Sequence, residues 1–365
     1  MELPFRIQSE PGDQPVITVD GSFGAPGLCL SHWPGHSTPA HLLRDLSTQI
    51  ALAFAELPPE ERQALAAGCG AVVNNHYDTD GVCAAFAVLR PEAALPHAKA
   101  LIAAAAAGDL FRTPSEQAFR LDLVITAFAD AKLSPIADEL RGLSDPERHQ
   151  HATRELIERL PSLLAPGGLD AYEHLWAAQS AALQADQADL AAAAFDDIVH
   201  LDAGVYLAPM ETCSSREPAG IQNYDPGRHA IFGASELDRV LILGPSAAGC
   251  TARFLLNTTS WFDMPTRRAQ ARPDLVALCA ALNQAEGSDS SAELCWRHQA
   301  QDSPAPELWF GRAGAPLYGE HASAYLAPSN QDPLAIKAHV LDALRAAWSF
   351  SQADEDDEQG DWRNV

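Results

Sequence analysis

AVVNNHYDTDG, residues 71–81, is the stretch on which the reading of this chain turns. Ala71, Val72 and Val73 make a short apolar run of the kind that forms a buried strand, and the polar residues after it end that strand. Gly81 then opens a segment rich in Ala, Val and Phe that reads as a helix, while Gly68 and Gly70 close a helix upstream. Residues 61–91 are therefore half of a βαβ unit. If the backbone stays extended past the strand, His76, Asp78 and Asp80 share parity and project from one side at steps of roughly 6.6 Å. Open α/β sheets place their binding crevices beyond the C-terminal ends of their strands. An imidazole and two carboxylates gathered there suit a hard divalent cation, Mn²⁺ or Mg²⁺, with imidazole tilting the choice towards Mn²⁺. Two such ions would clamp a phosphoryl group for in-line attack, which makes His76, Asp78 and Asp80 the candidate catalytic and metal residues.

Competing readings of the same residues are structural. An EF-hand loop fails, because the twelfth position counted from His76 is Ala87, where a bidentate Glu is needed. An ordinary strand-to-helix turn, with Asp80 capping the helix and His76 satisfied by backbone groups, stays open.

NHYDTDG resembles the first motif of the DHH (Asp-His-His) phosphoesterase superfamily, in the H-x-D-x-D-G form of its nucleases and its short-oligonucleotide or cyclic-dinucleotide phosphodiesterases. The resemblance covers residues 70–112. Together with LSHWPGHSTP (30–39) and RDLST (44–48), the motif also resembles an uncharacterised bacterial family. The superfamily resemblance implies that His76, Asp78 and Asp80 ligate metal, and it makes Asp109 in AGDLFR the candidate for a further carboxylate. No Asp-His-His triplet occurs in the chain, so the ligands that would complete a dinuclear site have no matched positions. His32 and His36 in SHWPGHS are candidate replacements, since two imidazoles in a Pro/Gly-rich loop need holding by something, and Asp202 after the apolar run of IVHLD is another.

Working outward, PVITV (15–19) and LCL (28–30) read as strands, and Ser37 or Thr38 before Pro39 as the cap of a helix over 41–57. Helices follow over 97–107, 114–130, 146–164 and 169–194. After Asp196 the texture becomes strand-like at 198–209, 228–232, 239–244, 251–262, 293–298 and 307–311, with helices at 273–286 and 333–349. The expected class is α/β: a parallel-sheet, DHH-like N-terminal domain with a large helical section (1–192), then a smaller substrate-binding α/β domain (193–350) and a disordered acidic tail (351–365). RVLILGPSAAGCT (239–251) lacks the Lys and the following helix of a P-loop, so it reads as a hairpin.

SWFDMPTRRAQAR (260–272) sets Arg267, Arg268 and Arg272 beside Trp261. Arginine forks match phosphate oxygens and an indole can stack a base, so Arg267, Arg268 and Trp261, with Arg112 after Asp109, are the candidate substrate contacts. Against 49 Asp+Glu the chain has only 24 Lys+Arg, a net charge of −25, which disfavours long nucleic acid and anionic membranes as partners. Seven scattered cysteines without a CxxC pair signal neither a disulfide framework nor a zinc site. No export signal or span of roughly 20 apolar residues is present, so the expected location is cytoplasmic. The expected function is a Mn²⁺- or Mg²⁺-dependent phosphoesterase acting on a small phosphorylated compound or short oligonucleotide, with a homodimer compatible. The alternative is a non-catalytic regulatory or ligand-binding protein with a degenerate metal site.

Overall fold

Two sheets organise the chain in the computed structural model, which describes residues 3–210, 225–233, 237–267, 270–313 and 325–360, with side chains up to Trp348. The chain divides into two units, Met1–Ala182 with Trp261–Arg268, and Leu183–Ser260 with Ala269–Val365. Both are α/β, and the division falls at Ala182, inside a helix, with one short segment of later sequence belonging to the first unit.

In the first unit β1 (Phe5–Ile7), β2 (Val16–Val19), β3 (Gly27–Leu30) and β4 (Val72–Asn74) form an all-parallel sheet in the order β1-β4-β2-β3. All four residues of β2 are buried, as a strand covered on both faces requires. The helices are α1 (Ser47–Glu56), α2 (Pro59–Leu65), α3 (Thr79–Leu89), α4 (Pro91–Ala94), α5 (Ala98–Leu110), α6 (Glu116–Phe128), α7 (Ala137–Leu140), α8 (Asp145–Leu163) and α9 (Glu173–Ala192), the last containing the division. Every residue of α3 is buried. Its Ala84, Ala85 and Ala87 belong to the core in which α1 and α5 pack against it.

The helix expected from residue 41 begins only at Ser47, and the Thr38 hydroxyl does other work. It accepts from the Ser31 N–H at 2.9 Å and donates to the Ser31 carbonyl at 2.7 Å, pinning the loop that follows β3. The helix start is capped from across the chain instead, by Asp80.

The second unit carries β5 (Ala194–Ile198), β6 (Ala203–Leu207), β7 (Arg239–Ser246), β8 (Gly249–Leu256), β9 (Cys295–His298) and β10 (Glu307–Gly311) in a mixed sheet ordered β5-β6-β7-β8-β10-β9. β6 and β7 are parallel and the other pairs antiparallel. β7 and β8 form the hairpin read from the sequence. Helices α11 (Leu275–Glu286) and α12 (Pro333–Gly360) share one core with the sheet. Residues 228–232, expected as a strand, form α10 (Arg228–Gly233): the Gly227 carbonyl takes the N–H groups of Ala230 and Ile231, and Asp186 takes the Gly227 N–H. Local helical bonding there outweighs the β-propensity of the apolar residues. The stretch 351–360, expected as part of a disordered tail, continues α12, and 361–365 lie outside the described residues.

A candidate metal centre

Three neighbouring strands of the parallel sheet end at one place. Asp20 follows β2, His32 comes two residues after β3, and His76 two residues after β4; β2 lies between the other two, so Asp20 occupies the middle. Asp20 adopts a left-handed backbone, φ 62°, a conformation that Asp tolerates better than most residues and that clusters at functional sites. The next residue is glycine, and a Cβ there would sit 2.1 Å from Asn75 Oδ1, so the Asn75 side chain would have to move. The Gly21 N–H donates to Asn74 Oδ1 at 3.0 Å, tying the ends of β2 and β4 together.

Asp20, His32, Asp80 and Asp109, all buried, offer one donor atom each within 4.8 Å of one another. His32 Nε2 stands 3.1 Å from Asp109 Oδ2 and 3.6 Å from both Asp20 Oδ1 and Asp80 Oδ2. Its ring is locked: Nδ1 donates to the Asp45 carbonyl at 2.6 Å, and Phe262 stacks on it with centroids 3.8 Å apart. With Nδ1 engaged by that carbonyl, the ring turns Nε2 towards three carboxylates. Asp80 spans the N-terminus of α1, accepting from the N–H groups of Ser47 and Thr48 at 2.8 and 2.7 Å.

A second, outer group shares Asp20. His76 Nε2 lies 2.9 Å from Asp20 Oδ2 and 2.8 Å from Asp78 Oδ2, and the His76 and Asp78 side chains are 28% and 33% exposed. Asp78 Oδ1 caps α3 by accepting from the Gly81 N–H at 2.8 Å. The two oxygens of Asp20 thus face different imidazoles, Oδ1 towards His32 and Oδ2 towards His76.

Four carboxylates and two imidazoles make up the two groups, a surplus of negative charge under heavy burial. Burial and then repulsion from Asp20 push Asp80 up to about 6. Asp109 is raised well above the usual carboxylate range by burial and by Asp78, Asp80 and Asp20. For Asp20, burial acts upwards but His76 and His32 outweigh it and hold the carboxyl low. Burial likewise opposes charge on His76, yet Asp78 and Asp20 raise its pKa well above the ordinary value. Unpaired buried charges cost several kcal/mol each, so an arrangement of this kind is stabilised by taking up protons or a cation.

The donor set fits a divalent one. His32 Nε2 and Asp20 Oδ1 are buried atoms with no hydrogen-bond partner among the described residues, aimed into the inner group. Ligands held about 2.1 Å from a shared ion stand roughly 3.0 Å apart at a right angle and somewhat more at wider angles, close to the spacings around His32.

His76, Asp78, Asp80, Asp109 and His32 are brought together as the sequence suggests, but not in one extended row. α3 starts at Thr79, so Asp80 lies in its first turn and joins the inner group while His76 and Asp78 form the outer one. His36 is not in either group: its Nδ1 accepts from the Thr38 N–H and its Nε2 faces Asp263 at 3.4 Å. Asp202 is not a member either, since it sits in the second unit in the left-handed turn before β6, φ 49°. Among the substrate candidates, Trp261 packs in the first unit 5.0 Å from Trp33, and Arg267 and Arg112 are partly exposed there. Arg268 lies outside the described residues. Arg272 is structural, donating to the carbonyls of Gln301, Ser303 and Pro304 in the second unit.

The candidate donor missed by sequence reasoning is Asp20. VITVDG carries the same signature as AVVNNH, a buried strand running into a polar donor, and a Gly directly after the Asp marks the tight junction.

Residues 1–355 match DUF6687, a family of unknown function, and the chain belongs to that family. No curated protein and no solved structure matches it. Among the described residues no helix is long and apolar enough to cross a membrane.

Proposed function

We propose that this member of the DUF6687 family is a divalent-metal-dependent phosphoesterase of the cytosol, acting on a small phosphorylated compound or a short oligonucleotide. The observation that carries the reading is Asp20 standing between His32 and His76, one oxygen to each, with Asp80 and Asp109 on one side and Asp78 on the other. That arrangement has the form of two adjoining cation sites with a shared carboxylate. Imidazole in both groups favours Mn²⁺ over Mg²⁺. When bound, a pair of divalent ions supplies charge neutralisation at a phosphoryl oxygen and activation of water at neutral pH.

The chain's own residues divide the remaining work. His32, Asp80 and Asp109 hold the buried side rigidly, through the Asp45 carbonyl, the Phe262 ring and the N-terminus of α1. His76 and Asp78 are the half-exposed side, where a substrate oxygen can approach. The resemblance of NHYDTDG to the DHH phosphoesterases supports phosphorus as the electrophile, and the net charge of −25 favours a short substrate over a long polyanion. Among the described residues six cysteines are free, in keeping with a reducing compartment.

The test is turnover. Protein stripped with chelator and reloaded with Mn²⁺ is expected to hydrolyse bis(4-nitrophenyl) phosphate or 4-nitrophenyl phosphate, and Asp78→Asn to lose this activity while keeping its circular dichroism spectrum. A protein that takes up Mn²⁺ yet hydrolyses no phosphodiester or phosphomonoester would overturn the enzymatic reading.

A further inference from the structure

α1 and α3 meet at Asp80, which takes the first N–H groups of α1 from within the first turn of α3. Their other ends open onto a cleft. Phe54 stands about 10 Å along α1 from Ser47, and Val88 about 12 Å along α3 from Asp80. Both line a cavity of about 530 Å³ in the first unit, bounded further by α2 and the start of α4.

The buried part of its wall is apolar and the exposed part carries charge. Phe54, Val88 and Pro91 are buried, whereas Arg62 on α2 is half-buried and Glu92 on α4 is exposed. Among the described residues the Arg62 and Glu92 side chains have no hydrogen-bond or ion-pair partner, and they do not pair with each other. α2 and α4 each begin with a proline, Pro59 and Pro91, whose ring sets the backbone of the turn that carries the charged residue. A concave site of this size, largely apolar with a few polar groups, is the usual form of a small-molecule pocket.

The two unmatched charges select the molecule. A simple anion would satisfy Arg62 and be repelled by Glu92, and a simple cation would meet the reverse. A zwitterion satisfies both, and the apolar wall is then left for an uncharged side chain. We propose that the cleft binds a free α-amino acid with a large apolar side chain, of the leucine or phenylalanine kind. Its carboxylate meets the Arg62 guanidinium, its ammonium meets the Glu92 carboxylate, and its side chain packs on Phe54, Val88 and Pro91. The site is separate from the metal centre and does not rest on the phosphoesterase reading.

The experiment is calorimetric titration of the full-length protein near neutral pH, before and after chelator treatment, with L-leucine, L-phenylalanine, glycine, L-leucinamide and N-acetyl-L-leucine. L-Leucine is expected to bind at one site per chain, equally with and without metal. It should bind roughly 10- to 150-fold more tightly than glycine, the range that burial of a leucine side chain supplies. Leucinamide lacks the carboxylate and N-acetylleucine the ammonium, so both should bind more weakly than leucine. Arg62→Gln is expected to abolish the advantage of leucine over leucinamide, and Glu92→Gln its advantage over N-acetylleucine. A variant that merely misfolded would lose all these ligands alike, so the paired comparisons separate the two cases, and the wild-type series decides without either variant. Absence of binding by both leucine and phenylalanine, equal affinity for leucine and its two blocked forms, or advantages that survive the matching variants overturn the proposal. Binding only by metal-loaded protein would put the amino acid at the metal centre and overturn it too, while the phosphoesterase reading stands or falls on its own turnover test.

Discussion

His32 Nε2 and Asp20 Oδ1 face each other at 3.6 Å, both buried and neither with a hydrogen-bond partner among the described residues. Such a pair is stable only if something positive lies between or beside the two atoms. Substituting His32→Gln keeps a polar group of similar reach but removes the imidazole lone pair. Since loss of a group that merely orients a ligand costs about 10- to 100-fold in metal affinity, loss of the ligand itself should cost at least about 100-fold. Mn²⁺ titration followed by electron paramagnetic resonance of the free ion measures this. An unchanged affinity would remove His32 from the centre.

The shared position of Asp20 predicts an asymmetry between two variants. Asp20→Asn should impair both groups and leave little tightly held metal, whereas Asp78→Asn should impair only the half-exposed group and leave about one ion per chain in the buried one. Metal content after gel filtration distinguishes them. Equal losses would mean that the two groups do not behave as separate sites.

Protons compete with the cation for the same atoms, and the directions are set. Asp80 is pushed up to about 6 by burial and by Asp20, and His76 is raised well above its usual value because Asp78 and Asp20 outweigh burial. Protonated carboxyl and imidazolium cannot ligate, so Mn²⁺ affinity should fall as pH drops through 6 and rise through the neutral range with release of protons. Titrations in buffers of different ionisation enthalpy count those protons. An affinity flat from pH 5 to 8 would contradict the assignment.

Asp122 gives a stability prediction for the metal-free protein. Burial raises it from 3.8 to about 7, against the lowering effect of the Thr79 hydroxyl bond, with Asp78 adding to the rise. A folded-state pKa above the unfolded value means a contribution fully present below pH 3.8 and lost as pH rises through 7. Asp122→Asn should therefore flatten the decline in stability between about pH 4 and 7, by up to about 4 kcal/mol at 1.36 kcal/mol per unit. Urea unfolding at a series of pH values shows whether the slope changes; an identical slope would mean that Asp122 does not titrate in this range.

The legibility of this chain in its sequence followed the range of the interactions involved. AVVNNHYDTDG was readable because strand, turn and helix start are all local, and its donors lie in the centre. The split between Asp78 and Asp80 was not readable, because it depends on α1 presenting the N–H groups of Ser47 and Thr48 to Asp80, a contact over 32 and 33 residues. Asp20 escaped because parallel pairing of β2 with β4, which sets it between the two imidazoles, joins residues more than 50 positions apart. Residues 228–232 misled because their local helical bonding starts from the carbonyl of Gly227, whose own N–H is held by Asp186, 41 residues upstream.

The central claim is a divalent-cation centre built on Asp20, and equilibrium Mn²⁺ binding by the chelator-stripped, full-length protein near pH 8 tests it most directly. Saturation at two ions per chain, accompanied by a rise in thermal stability that the Asp20→Asn protein does not share, is the predicted result. A folded wild-type protein that binds no Mn²⁺, or whose thermal unfolding is indifferent to it, would contradict the account.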